Sequence, residues 1–204
     1  MPLENVYLVD DNAEIRFHLK ALLVNKGYKV HEFEGAQAFL DGNVQLERPC
    51  VLVLDMRMLK LSGLDLQNHL KLQNIFIPII FISGESQHQE IISAMKGGAI
   101  EFLWKPFKSD DLFAAIHRGI NLDTANTNLI ERKSKLYALQ STLTRQENKI
   151  FLMKLKGLGN KDIGKELGIS SDTVKKHRAQ VLEKMQVNSL HELLLLWEGI
   201  EPQV

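Results

Sequence analysis

Short apolar runs recur about every 20–25 residues through the first 120, at Val6-Tyr7-Leu8-Val9, Lys29-Val30-His31-Glu32-Phe33, Val51-Leu52-Val53-Leu54, Ile79-Ile80-Phe81-Ile82 and Phe102-Leu103-Trp104. Their shortness and their β-branched and aromatic content predict strands. Between them, Ile15, Leu19, Leu22 and Leu23, and again Leu64, Leu66 and Leu70, fall at helical spacing. Strand and helix alternate five times, which favours a parallel sheet with helices on both faces. The first, third and fourth runs are almost wholly apolar, as strands covered on both sides must be.

Over residues 121–140 the pattern thins into Asp, Thr, Asn, Ser, Lys and Arg around Leu122, Leu129, Ile130, Leu136, Tyr137 and Leu139. The absence of Pro and Gly predicts a partly helical connector, continuing a helix begun near Ser109. Four helical patterns follow, punctuated at Gly157-Leu158-Gly159, Gly168 and Val187-Asn188, with no strand among them. The expected organisation is an α/β domain over 1–121, a helical linker over 122–140 and an all-α domain over 141–204. Thr144 and Glu147 are spaced as a capping box. A second helix is expected over 160–167, a turn at Gly168, and a third helix capped by Ser170 or Ser171 and running to about Met185: a helix-turn-helix. On a helical wheel Val174, Val181, Leu182 and Met185 form the buried stripe, and Asp172, Lys175, Lys176, Ala179, Gln180 and Glu183 the opposite polar face.

Composition sharpens this outline. A chain of 204 residues, 45% hydrophobic and 25% charged, has material for two compact units. Its 25 basic and 25 acidic residues cancel, so any nucleic-acid site must be local. Residues 1–120 carry a net charge of −3 and 121–204 a net of +3; within 145–184 there are 10 basic against 5 acidic side chains. No run approaches the roughly 18 apolar residues of a membrane span, and Met1-Pro2-Leu3-Glu4-Asn5 lacks a signal-peptide layout, so a cytoplasmic protein is expected. Cys50, the one cysteine, rules out an internal disulfide and sits among apolar residues as a core position.

In an open parallel sheet, ligands bind beyond the carboxyl ends of the strands. Here those ends carry Asp10-Asp11, Asp55, Ser83 and Lys105-Pro106. Three converging carboxylates repel one another unless a cation is present, and a hard divalent ion such as Mg²⁺ suits oxygen ligands. With a hydroxyl and an ammonium added, the rim is equipped to neutralise a phosphoryl group transferred to a carboxylate, with Asp55 as the central acceptor candidate. A phosphatase of the haloacid-dehalogenase type would need a second Asp two residues after the first. Arg57 stands there, which removes the general acid or base of that chemistry.

Through Val9-Asp10-Asp11-Asn12, Leu54-Asp55-Met56-Arg57-Met58, Ser62-Gly63-Leu64, Ile82-Ser83-Gly84, Gly98-Ala99 and Lys105-Pro106-Phe107, residues 1–120 resemble the receiver domain of bacterial two-component response regulators. The resemblance implies a flavodoxin-like (βα)5 fold with sheet order 2-1-3-4-5, and transfer of a phosphoryl group from the histidine of a sensor kinase to Asp55. It also implies Mg²⁺ held by Asp10, Asp11, Asp55 and the carbonyl of Arg57, phosphoryl oxygens held by Ser83 and Lys105, a cis bond at Lys105-Pro106, and Phe102 as the switch aromatic. Where the family usually has Pro-Gly or a similar turn after the residue matching Met58, this chain has Leu59-Lys60, which changes the loop. Trp104 shares a strand face with Phe102 and either points out at a protein interface or packs under a neighbouring helix.

Leu143-Thr144-x-x-Glu147, Gly157-x-x-Asn160-Lys161-Asp162-Ile163, Leu167-Gly168-Ile169-Ser170 and Thr173-Val174-Lys175-Lys176-His177-Arg178 resemble the LuxR-type DNA-binding domain. That resemblance implies that Lys175, Lys176 and Ala179 face a DNA groove, that Thr173, His177 and Arg178 serve phosphate or structural roles, and that the last helix, Ser189–Trp197, carries dimer contacts; burial of Leu193–Leu196 in the domain's own core is the competing expectation. Together the halves resemble the FixJ/NarL class, implying a homodimer formed on phosphorylation, a double-stranded promoter as target and RNA polymerase as a further contact. The competing expectations are a helical domain that binds a protein partner, and DNA binding that ignores phosphorylation.

Overall fold

The computed structural model describes residues 4–203; Met1-Pro2-Leu3, part of the segment lacking a signal layout, lies outside the described residues. The chain forms two compact units, Met1–Thr127 and Asn128–Val204.

In the first unit, strands β1 (Asn5–Val9), β2 (Lys29–Phe33), β3 (Cys50–Asp55), β4 (Ile79–Ser83) and β5 (Glu101–Trp104) form one parallel sheet in the order β2-β1-β3-β4-β5. Helices α1 (Ala13–Asn25), α2 (Ala36–Asp41), α3 (Gly63–Leu72), α4 (His88–Lys96) and the start of α5 (Ser109–Ser141) connect and follow the strands. Side chains alternate across a strand, so each run feeds two cores. Tyr7, Val9, Leu52, Leu54 and Phe81 pack on one face with Phe39, Leu66, Leu70 and Ala94, from α2, α3 and α4. Val6, Leu8, Val51, Val53, Ile80 and Ile82 pack on the other with Leu19, Leu23, Leu112, Ala115 and Ile116, from α1 and α5. Central strands sandwiched in this way can contain no unpaired polar side chain, which is why their sequences are nearly unbroken apolar runs.

The second unit holds the end of α5, then α6 (Arg145–Leu155), α7 (Asn160–Leu167), α8 (Ser171–Lys184) and α9 (Leu190–Leu196). Thr144 and Glu147 form the expected capping box, Ser170 caps α8, and Gly168 ends α7 in the left-handed conformation at φ +66°. Val174, Val181 and Met185 are buried as the wheel required, while Lys175, Lys176, Ala179, Gln180 and Glu183 are exposed. Phe151 and Tyr137 pack on Trp197, which is buried. Of the run Leu193–Leu196 only Leu193 is fully enclosed; Leu194 and Leu195 face outward.

Residues 121–140, read from sequence as a connector, are helical throughout and are more than a tether. Asp123 is fully buried within the first unit, where it accepts hydrogen bonds from the Cys50 N–H at 2.8 Å and from Arg48, whose guanidinium also donates to the Phe76 carbonyl. Farther along, Gln140 in the second unit pairs with the backbone of Gln203, donating to its carbonyl at 2.6 Å and accepting its N–H at 3.0 Å. Cys50 is the core residue expected; burial first, and then Asp123, push its thiol up to about 12, so it is inert at neutral pH.

Replacing Asp123 by Ala leaves a partly buried guanidinium and a buried N–H without their acceptor. The first unit is expected to lose about 3 kcal/mol in urea unfolding. A loss below about 0.5 kcal/mol, the size of a surface substitution, would show that the ion pair does not hold α5 to β3.

Candidate functional site

Beyond the carboxyl ends of the strands two of the sequence-predicted carboxylates, Asp10 and Asp55, meet around one ammonium. Lys105 donates from Nζ to Asp10 Oδ2 at 2.7 Å and to Asp55 Oδ1 at 2.5 Å. The register explains the meeting: Val9 pairs with Leu54, so Asp10 and Asp55 follow side by side, and Lys105 follows β5 across the intervening β4. Asp10 and Asp55 are both buried. The Lys105-Pro106 bond is cis, as the resemblance implied, and so is Arg48-Pro49, which sequence reasoning did not single out.

Each group feels the crowding differently. Burial raises the pKa of Asp55, and the Asp10 charge adds to that rise; the bonds from Lys105 and from the Arg57 N–H, at 2.9 Å, oppose it without cancelling it. At Lys105 burial acts to lower the pKa, but the bonds to Asp10 and Asp55 together outweigh it and the ammonium is held above its ordinary value. Lys105 gains from two carboxylates, whereas Asp55 must share its one cation with Asp10, so both directions coexist.

The neighbouring residues are held by their own loops. Asp11 accepts the Leu59 N–H at 2.8 Å, and Asn12 caps α1 by accepting from Glu14 and Ile15. Ser83, buried at the end of β4, has its hydroxyl engaged by its own loop, donating to the Glu85 carbonyl at 2.9 Å and accepting from Ser86 at 2.8 Å. Among the described residues no three of His, Cys, Asp and Glu are gathered around one point as a held metal ion requires; the Lys105 ammonium stands between Asp10 and Asp55 instead. The donor set still fits a hard divalent cation, because it is all oxygen and two of its carboxylates, Asp10 and Asp55, share a single ammonium.

The loop after Asp55 is tightly built. A side chain at Gly63 would come within 2.4 Å of the Asp55 carbonyl and 2.8 Å of Phe81, so glycine is required there. Lys60, at φ +71°, occupies the left-handed region, and Leu61 N–H reaches back to the Leu59 carbonyl at 3.0 Å. This is the position where the chain departs from the receiver pattern, and it carries local backbone strain in place of a glycine turn.

Phe102 is half-buried against the sheet's first core, and its ring meets that of Trp104 edge-on at 5.2 Å. Trp104 is 48% exposed, which favours the outward reading.

In the second unit Lys175 and Lys176 stand on the exposed face of α8, with Lys175 donating to Asp172 at 2.9 Å. Thr173 shares the N-cap with Ser170, their hydroxyls 2.8 Å apart. His177 and Arg178 lie half-buried, with His177 Nδ1 and Arg178 Nε lacking a hydrogen-bond partner among the described residues. Lys154, counted in the sequence only as one basic charge among many, is 5% exposed and donates to the Leu158 carbonyl at 3.0 Å. Burial and then the nearby Arg178 charge lower its pKa. A charge count cannot distinguish such a lysine from a solvated one.

Because the folded-state pKa of Asp55 lies above its unfolded value, its ionisation opposes folding at neutral pH. Asp55→Asn is therefore expected to raise stability at pH 7. The advantage should fade as pH falls through and below the carboxylate range, where Asp55 is protonated in both states. Thermal unfolding of both proteins across that range measures it, and an equal Tm at pH 7 would contradict the assignment.

Comparison with known proteins agrees with this architecture. Residues 6–117 match the family model of the response regulator receiver domain, and residues 141–197 that of the bacterial regulatory proteins of the luxR family. The response regulator protein TmoT of Ectopseudomonas mendocina is 37% identical over 196 residues, covering 96% of this chain and 89% of its own. The transcriptional regulatory protein FixJ of Bradyrhizobium diazoefficiens is 37% identical over 192 residues, covering 94% and 93%. Among solved structures, the response regulator StyR superposes with a TM-score of 0.83 at 39% identity, covering 96% of this chain and 98% of that one. With both family models matched and such relatives aligned over nearly the whole of its length, this chain belongs to the two-component response regulators, as a receiver domain joined to a LuxR-type DNA-binding domain.

Proposed function

We infer that Asp55 is the residue phosphorylated, with a sensor histidine kinase as donor. The observation that carries this reading is the Lys105 ammonium, 2.5 Å from Asp55 Oδ1, which stands ready to neutralise charge on that oxygen's substituents. In the transfer, an Asp55 oxygen bonds to phosphorus as the bond from phosphorus to the kinase histidine breaks, and the leaving imidazole takes up a proton. Asp10, Asp11 and Asp55, with the Arg57 carbonyl, would hold Mg²⁺, which supplies charge neutralisation at the phosphoryl oxygens. Lys105 keeps one oxygen covered. Ser83 must give up Glu85 and Ser86 before its hydroxyl can serve another.

That exchange is the start of the output. A phosphoryl group brings nearly two negative charges and strong acceptors. Drawing Ser83 toward them opens space beside β4, and Phe102 on β5, half-buried and paired in register with Phe81, is placed to move into it. The face bearing Trp104 then joins a second copy of the chain, and the paired α8 helices bind a two-fold site on double-stranded promoter DNA. Lys175, Lys176 and Ala179 face the groove, while Thr173, His177 and Arg178 contact phosphates or buttress the helix. Contact with RNA polymerase and a cytoplasmic setting belong to the same reading; among the described residues no helix is long and apolar enough to cross a membrane.

Two experiments test this. In sedimentation velocity the wild type is expected to double in mass with Mg²⁺ and beryllofluoride, which mimics a phosphoryl group on aspartate, while Asp55→Asn does not; unchanged mass in the wild type removes dimerisation from the mechanism. Lys176→Ala is expected to weaken DNA binding and to lower the slope of log affinity against log salt by about 0.9 for the lost phosphate contact. A slope and sequence preference equal to wild type would exclude Lys176 from the DNA surface.

A further inference from the structure

Arg57 follows the acceptor by two residues, and the transfer described above uses only its carbonyl. The N–H donates to Asp55 Oδ2 at 2.9 Å, so the backbone of Arg57 lies against the acceptor carboxylate. Its guanidinium reaches elsewhere, to Glu90 Oε2 at 3.3 Å and Glu85 Oε2 at 3.8 Å. Both carboxylates belong to the segment that Ser83 leads into. Glu85 is bonded to the Ser83 hydroxyl through its carbonyl at 2.9 Å and its N–H at 3.2 Å. Glu90 closes the first turn of α4 by accepting the Gln87 N–H at 2.6 Å. A single side chain thus ties the acceptor's own loop to the start of α4.

The charge balance says how long that tie can last. Lys105 already serves two carboxylates, and a phosphoryl group adds nearly two more negative charges. Arg57 is a cation two residues away in sequence and held only by partly or fully exposed pairs, its own side chain 45% exposed and those of Glu90 and Glu85 31% and 89%. Pairs of that kind contribute little, whereas a guanidinium on a phosphoryl group makes paired, charge-assisted bonds.

We propose that Arg57 is a positioning residue with two successive partners: Glu90 and Glu85 while Asp55 is free, the phosphoryl oxygens once it is modified. The transfer leaves Glu85 and Glu90 uncompensated beside a near-dianion. Repulsion then moves Glu85 away and frees the Ser83 hydroxyl from it, so the exchange at Arg57 prepares the exchange at Ser83. This rests on Asp55 as the acceptor.

The test uses the full chain with Mg²⁺ and beryllofluoride, the bound fluoride being counted by ¹⁹F NMR in wild type, Asp55→Asn, Arg57→Ala, Arg57→Lys, Glu90→Gln and the Arg57→Ala/Glu90→Gln double variant. Gln at position 90 keeps the capping bond and removes the charge. Arg57→Ala is expected to weaken binding about two- to fivefold, Arg57→Lys to recover part of it, and Glu90→Gln to tighten it by a similar factor. In the double variant the Glu90→Gln gain should vanish, because both act through one guanidinium. Wild-type affinity in Arg57→Ala, or a Glu90→Gln gain that survives without Arg57, overturns the proposal. Failure of the underlying reading looks different: wild type and Asp55→Asn would then share the same absence of bound fluoride.

Discussion

The receiver unit is organised around the need to keep two carboxylates side by side in a nearly dry place. β1 and β3 are neighbours, so the residues after Val9 and Leu54 have no choice but to meet. At the roughly 5 Å separating adjacent strands, two full charges repel by about 3 kcal/mol at an effective dielectric of 20. Lys105 offsets that repulsion by bonding both, and it can do so only because β5 lies on the same side of β3 with β4 between. Strand order, register and ionisation are one constraint seen at three scales.

The same strand is fixed at its other end by a second ion pair of a different kind. β3 begins at Cys50, whose N–H binds Asp123 of α5, and ends at Asp55, whose carboxylate binds Lys105. Charge at the rim surrounds the carboxylate that, on the reading proposed above, takes up a phosphoryl group. Charge at the base is enclosed, with Asp123 fully buried, and serves to hold α5 against the sheet.

The sequence reveals strand ends well and long side chains poorly. Asp10, Asp55, Ser83 and Lys105 were legible because a parallel sheet gathers all its carboxyl ends on one rim, so position along the chain converts directly to proximity. The buried stripe of α8 was legible for the analogous reason that one wheel decides it. Asp123 was not: it lies in a polar stretch with Asn121 and Thr124 beside it, and its partner Arg48 lies 75 residues away. The guanidinium of Arg57 was equally hidden, since its carbonyl could be assigned from the resemblance while its reach to Glu90 depends on how two loops meet. Lys154 reads as surface charge until the α6–α7 turn is seen to enclose it.

The placement of the two tryptophans has an optical consequence. Trp104, in the first unit, is 48% exposed, whereas Trp197, in the second, is 4% exposed and packed on Phe151 and Tyr137. Emission from the first belongs to the red, solvent-relaxed part of the spectrum and is open to a dissolved quencher, while emission from the second is blue and shielded. The chain thus carries a separate natural fluorophore in each half, and the two can be followed in one cuvette without a label.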